Sequence, residues 1–288
     1  MFILTYKIKF EELDEKIEIL QINDIFNVFY ESPLEITTDE YGYGYLEKPV
    51  DTIDIKVAYE LDDANLTLFK ENVSSLLETD CISFEEVNYD YENYDLPAVH
   101  INDNWVLASP DEVINDKNKH KITFISQGAF GTGLHETTKD LLNIILTKID
   151  LCNKTVLDIG TGSGILSIAS AIIGAAKVTA LDIRDVKEEV ELNASLNGLY
   201  NVEVLVGNAL TEEVEIKDKY DWIYINIGGE ETELFMDFIK THLNNNGNLL
   251  VSGLVEWSFD KVKSIVESYG FELEKKYQTN EWITATFK

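Results

Sequence analysis

From residue 155 onward the chain alternates short, nearly unbroken apolar runs with stretches whose apolar positions recur at helical spacing. Residues 155–159, 177–182 and 222–225 are such runs, and another ends at Val206. Their length and continuity suit strands buried on both faces of a parallel sheet. Helical spacing follows the first run through residue 169, fills the stretch after Thr138 up to Ile149, and returns over 233–243. Strand and helix in alternation predict a doubly wound α/β domain.

The first ninety residues keep a different rhythm. Residues 2–10 alternate Phe, Leu, Tyr, Ile and Phe as a half-buried strand, and 11–22 show helical spacing through Leu13, Ile17 and Leu20. Residues 28–37 and 53–60 predict two further strands, joined through Tyr41-Gly-Tyr-Gly-Tyr45. A helix over 62–77 presents Leu66, Phe69, Val73 and Leu76 on one face, and 81–89 closes the set as a strand. The order βαββαβ is that of a ferredoxin-like α+β module. Residues 90–120 turn polar around Pro97 and Pro110, the composition of a connection, with 100–107 as a short strand or hairpin inside it. The expected organisation is a ferredoxin-like domain at 1–92, a linker at 93–120 and a Rossmann-like domain at 121–288.

Two loops concentrate the chemistry. In Asp158-x-Gly160-x-Gly162-x-Gly164 the glycines allow a sharp turn and close approach of a ligand, and the following helix start offers free N–H groups to an anion. The dinucleotide fingerprint needs its third glycine one place later, where Ile165 stands, so the spacing argues against NAD. The next strand ends in Asp182, 22 residues past Gly160, where an acid holds ribose hydroxyls in doubly wound sheets. Together they point to an adenosine-type ligand without a pyrophosphate. The second loop, residues 127–138, spends glycines at 128, 131 and 133 ahead of Thr137 and Thr138. One of these threonines is placed to cap the helix that follows, while the segment from Phe130 to His135 suits a lid that excludes water.

The pattern of glycines with the trailing Asp182 resembles the S-adenosyl-L-methionine (SAM)-dependent methyltransferases. More specifically, Ala129-Phe-Gly-Thr-Gly-Leu-His-Glu-Thr-Thr138 resembles the loop of the ribosomal-protein-L-eleven methyltransferases of PrmA type at each fixed position. The likeness continues through Gly174-Ala-Ala-Lys-Val, Asn193, Asn197-Gly198, Asn226, Gly253 and Glu281-Trp282. It implies a class I methyltransferase domain, SAM as cofactor, an N-terminal substrate-recognition domain and a basic ribosomal protein as acceptor through lysine or N-terminal amines. It also implies cofactor contacts from Phe130, Thr137, Thr138, Asp158, Gly160, Gly162, Gly164, Asp182 with Ile183, Asn208 and Asn226. Asn226, at the carboxyl end of its strand, faces the transferred methyl and positions the acceptor. Asn208 reads equally as an adenine contact or as a turn-forming Gly-Asn. No side chain is assigned as general base and no metal is implied.

The segment after Asn226 departs from the family. Ile227-Gly-Gly-Glu-Glu231 places two acids beside the acceptor end, either to hold a cationic amine or as the exposed first turn of a helix. That keeps two alternatives in view: a related methyltransferase with another protein or small-molecule acceptor, and a non-catalytic binding protein with the same fold. Charge then narrows the partners. The 288 residues carry 23 Lys and Arg against 53 Asp and Glu, and residues 1–100 hold 6 basic and 24 acidic side chains. Such a field repels phosphate backbones and attracts basic proteins, so direct nucleic-acid binding is not expected. Two cysteines without metal-ligand spacing, and no long apolar segment, suit a cytoplasmic protein that engages no membrane.

Overall fold

The structure is a computed structural model that describes residues 1–60, 63–87, 98–127, 129–211 and 213–288. It divides into two compact units, one of Met1–Thr37 with Tyr43–Tyr94 and one of Thr38–Gly42 with Asp95–Lys288.

In the first unit β1 (Phe2–Lys9) leads through a 3-10 turn into α1 (Leu13–Ile22). Then follow β2 (Val28–Tyr30), β3 (Leu34–Thr38), β4 (Tyr43–Glu47), β5 (Thr52–Tyr59), α2 (Asp63–Leu77) and β6 (Cys81–Glu86). One sheet has the order β2-β5-β1-β6 with every neighbour antiparallel. Its core gathers Leu4, Tyr6, Ile55 and Val57 from the strands with Leu20 and Val73 from the helices. The single strand expected over 28–37 is two, β2 and β3, separated by Glu31-Ser-Pro33. Pro33 has no N–H to donate to a ladder, and β3 instead pairs with β4 in a two-stranded ribbon.

The second unit contains a small sheet of β7 (Val99–His100), β8 (Trp105–Ala108) and β9 (His120–Thr123) in that order. The hairpin expected over 100–107 is β7 with β8, and it is held because Val99, Ile101 and Leu107 bury beside Leu141 and Leu142 of α3 (Glu136–Thr147). The expected boundary at 92–93 lies outside the described residues.

The main sheet is built from β10 (Thr155–Ile159), β11 (Lys177–Asp182), β12 (Val202–Val206), β13 (Tyr220–Asn226), β14 (Leu243–Val255), β15 (Leu273–Thr279) and β16 (Trp282–Phe287). Its order is β12-β11-β10-β13-β14-β16-β15, parallel from β12 to β14, with β16 antiparallel to both neighbours. Helices α4 (Ile165–Ile172), α5 (Lys187–Leu196), α6 (Gly229–His242) and α7 (Phe259–Ser268) complete the unit. Alternation within the strands feeds two cores: Val156, Trp222, Tyr224 and Leu250 pack with α3 and α4, and Leu157, Ile159, Ile223 and Ile225 with α6 and α7. Each aliphatic side chain so buried contributes about 1.5–3 kcal/mol. The chain runs outward from β10 to β12 and then crosses back to β13, so the crevice beyond the carboxyl ends of β10 and β13 is the topological switch point where open sheets bind ligands.

Candidate cofactor site

At that crevice β10 ends in the glycine turn. Gly160, Gly162 and Gly164 all have positive φ, and Gly164 is the N-cap of α4. The N–H groups of Gly160 and Thr161 donate to the Leu181 carbonyl at 2.8 and 2.9 Å, lashing the turn to the end of β11. Asp158, 1% exposed, sits beneath it. Its Oδ2 accepts from Thr161 Oγ1 at 2.7 Å and from Ser167 Oγ at 2.8 Å, so this carboxyl braces the turn from inside. Burial pushes its pKa up to about 6, against those two hydroxyls and with the Asp182 charge adding to the rise.

Asp182 ends β11 almost fully buried, its Oδ2 accepting from the Gly162 N–H at 2.8 Å and its Oδ1 from the Arg184 N–H at 3.0 Å. Each oxygen keeps a further lone pair for a hydroxyl. The neighbouring Ile183 side chain is exposed.

The lid loop is seated on the turn through backbone. Phe130 O accepts from the Ser163 N–H at 2.9 Å and Gly131 O from Ser163 Oγ at 2.9 Å. A Cβ on Gly162, at φ +55°, would collide with the Phe130 carbonyl oxygen. Close approach at this glycine is thus made by the protein's own loop, where the sequence had suggested a ligand. The Phe130 ring is itself exposed and lies 5.8 Å from the His135 ring, which meets Trp282 edge-on at 4.7 Å. Gly128 lies outside the described residues.

The cap of α3 is neither threonine. His135 is the N-cap, its Nδ1 accepting from the Thr137 N–H at 3.3 Å and lying 2.8 Å from Thr137 Oγ1. The imidazole nitrogen reaches the first-turn donor that a threonine one turn later cannot. Thr138 is 1% exposed and its Oγ1 is buried without a hydrogen-bond partner. Asp140, further along α3, accepts from Thr279 Oγ1 at 3.1 Å, and burial raises its carboxyl above the usual range.

What holds the lid's root was not legible as a contact in the sequence. Ile125 exchanges two hydrogen bonds with the Asn193 side chain, at 2.8 and 2.9 Å, as Thr123 does with Asn197, and the Gln127 N–H donates to Glu189 Oε1 at 3.0 Å. Positions 189, 193 and 197 are four apart, so one face of α5 grips residues 123–127 as a neighbouring strand would. The i, i+4, i+8 recurrence of amide and acid was the available signal.

Asn226 ends β13, and α6 starts at Gly229, so Glu230 and Glu231 form its first turn as the dipole favours. The tip of the β3–β4 ribbon, residues 38–42, belongs to this unit and borders the same turn. The Tyr41 carbonyl oxygen lies 3.1 Å from where a Gly229 Cβ would stand, and the Tyr41 hydroxyl donates to Glu233. Asn208 makes an Asx turn, its Oδ1 accepting from the Leu210 N–H at 2.9 Å. Among the described residues no group of three or more His, Cys, Asp and Glu could hold a metal. No helix among them is long and apolar enough to cross a membrane.

A model of the family described as ribosomal protein L11 methyltransferase (PrmA) matches residues 16–288. The chain belongs to this family. It is accordingly a SAM-dependent methyltransferase of class I fold. A family relative from Streptococcus pneumoniae (strain Hungary19A-6) is 32% identical over 250 residues, covering 85% of this chain and 77% of its own length. Another, from Clostridium botulinum (strain Eklund 17B / Type B), is 32% identical over 243 residues, 84% of this chain and 74% of its own. The crystal structure of ribosomal protein L11 methylase from Lactobacillus delbrueckii subsp. bulgaricus aligns with TM-score 0.59 and 28% identity, over 66% of this chain and 97% of that one.

Proposed function

We propose that this protein transfers methyl groups from SAM to lysine or N-terminal amines of a basic ribosomal protein in the cytoplasm. The observation that carries the reading is the family match over residues 16–288.

The residues at the crevice suit the cofactor. The spare lone pairs of Asp182 match a ribose diol. The buried, unpartnered Thr138 hydroxyl lacks a partner that the amino-acid end of SAM would supply. The side-chain amide of Asn208 is free to meet an adenine edge while its Oδ1 holds the turn. The exposed Phe130 ring is placed on the lid to shield the bound cofactor from water.

SAM supplies an electrophilic methyl group on a sulfonium, taken in line by a neutral amine. The chain's task is then alignment and water exclusion, which together are worth about 7–11 kcal/mol of barrier. Asn226, at the carboxyl end of β13, orients the acceptor amine. A free lysine with pKa near 10.4 is mostly charged at neutral pH, and a dry pocket beside a cationic cofactor lowers that value. Glu230 and Glu231, standing at the start of α6, draw a cationic side chain toward the entrance.

The test is incubation of ribosomal proteins and, separately, of a small-metabolite extract with the protein and methyl-labelled SAM, followed by mass spectrometry. Label on a ribosomal protein amine is the expected result. Label confined to a metabolite would move the acceptor to another class.

A further inference from the structure

We propose that the apolar face of the β3–β4 ribbon is the docking strip for the basic acceptor protein. This rests on the functional reading above, from which the partner's charge is taken. The ribbon is bracketed by hydrogen bonds from the Lys48 N–H to the Pro33 carbonyl at 2.7 Å and from the Asp39 N–H to the Gly42 carbonyl at 2.9 Å. Those two bonds set an antiparallel register with Ile36 opposite Tyr45, and Leu34, two residues from Ile36, on the same face. Ile36 is 67% exposed, Tyr45 66% and Leu34 48%.

A two-stranded ribbon is marginal in water, and the Ile36–Tyr45 cross-strand pair, worth about 0.2–1 kcal/mol, supports it while leaving both side chains mostly exposed. That exposed area is what association would cover. On the same face Glu47 stands opposite Leu34, and Glu31, Asp39 and Glu40 flank the two ends of the ribbon, Glu31 lying 3.9 Å from Lys56 and Glu40 paired with Lys261. An apolar row with acids in excess of lysines around it favours a basic protein over nucleic acid or an anionic lipid surface.

Within the second unit Trp257 Nε1 donates to the Asp39 carbonyl at 3.1 Å, Lys261 Nζ pairs with Glu40 at 2.8 Å, and the same ammonium sits 3.4 Å from the centre of the Tyr41 ring. The Tyr41 backbone abuts Gly229, three residues past Asn226.

The experiment compares steady-state methylation of ribosomal protein by the wild type, by Ile36→Ser/Tyr45→Ser and by Glu47→Lys, with SAM affinity measured by calorimetry on each. The replaced side chains are solvent-exposed, so circular dichroism and SAM affinity should match the wild type. The expected result is a KM for the ribosomal protein raised about tenfold or more with kcat retained, and a charge-reversal effect that shrinks at high salt. An unchanged KM in both variants, with the wild type active, overturns the strip and leaves the methyltransferase reading intact. A wild type that labels no ribosomal protein overturns the functional reading, and the strip with it. Sedimentation showing a wild-type dimer that the serine variant dissolves would assign the face to a second copy of the chain and also overturn the proposal.

Discussion

Thr138→Val separates the needs of the free protein from those of the bound one. The hydroxyl is 1% exposed and unpartnered, so the free protein carries its desolvation cost of about 1–3 kcal/mol. Valine has nearly the same shape and similar helix propensity, and it replaces the oxygen by a methyl group that belongs in an apolar setting. The variant without ligand should therefore be more stable than the wild type by about 1–3 kcal/mol, read as a higher urea midpoint. On the proposed binding mode the charged amino-acid end of SAM partners the wild-type hydroxyl, worth about 1.5–3 kcal/mol. The variant loses that and should bind SAM roughly tenfold to a hundredfold more weakly by calorimetry. The two effects have opposite signs. A variant that is less stable without ligand, or that binds SAM as the wild type does, refutes the reasoning.

Three further outcomes follow from the same geometry. Asp158 has its pKa raised to about 6 in the folded protein, so between about pH 4 and pH 6 the folded chain keeps a proton that the unfolded chain has released; stability falls as pH rises through that window, by up to about 3 kcal/mol, and Asp158→Asn should flatten the slope in urea titrations. Gly162→Ala places a methyl group against the Phe130 carbonyl at a positive φ, which should cost about 2 kcal/mol or more and expose the lid to proteolysis between residues 126 and 134; a wild-type cleavage pattern would contradict the contact. Asn193→Ala strips two hydrogen bonds from Ile125, and hydrogen exchange at residues 123–127 should accelerate while β10 and β11 keep their protection.

The second unit was legible because its strands are buried on both faces: an apolar run such as 222–225 has one use in a domain of this size, and the glycines and terminal aspartates mark the carboxyl edge. The pattern failed where burial is one-sided or absent. Residues 28–37 read as one strand because β-forming residues flank Pro33 on both sides, and only the missing N–H divides them. Inside the polar stretch the hairpin expected over 100–107 is β7 with β8, while the parallel pairing of β9 with β8 was not legible, because no local pattern marks which strand a short run will join. At the site, Asp182 stands where its motif placed it. His135 as a cap and the grip of α5 on residues 123–127 depend on side chains meeting a backbone more than sixty residues away in one case, and on an imidazole substituting for a hydroxyl in the other. Local propensity does not encode either.

The measurement closest to the centre of the account is a co-crystal with S-adenosylhomocysteine, the product left after methyl transfer. The account predicts ribose hydroxyls on the Asp182 carboxylate, the amino-acid end within hydrogen-bond reach of Thr138 Oγ1, and the lid around Phe130 over the glycine turn. Density for the nucleoside elsewhere on the protein, or at the turn with Asp182 and Thr138 both untouched, would contradict it.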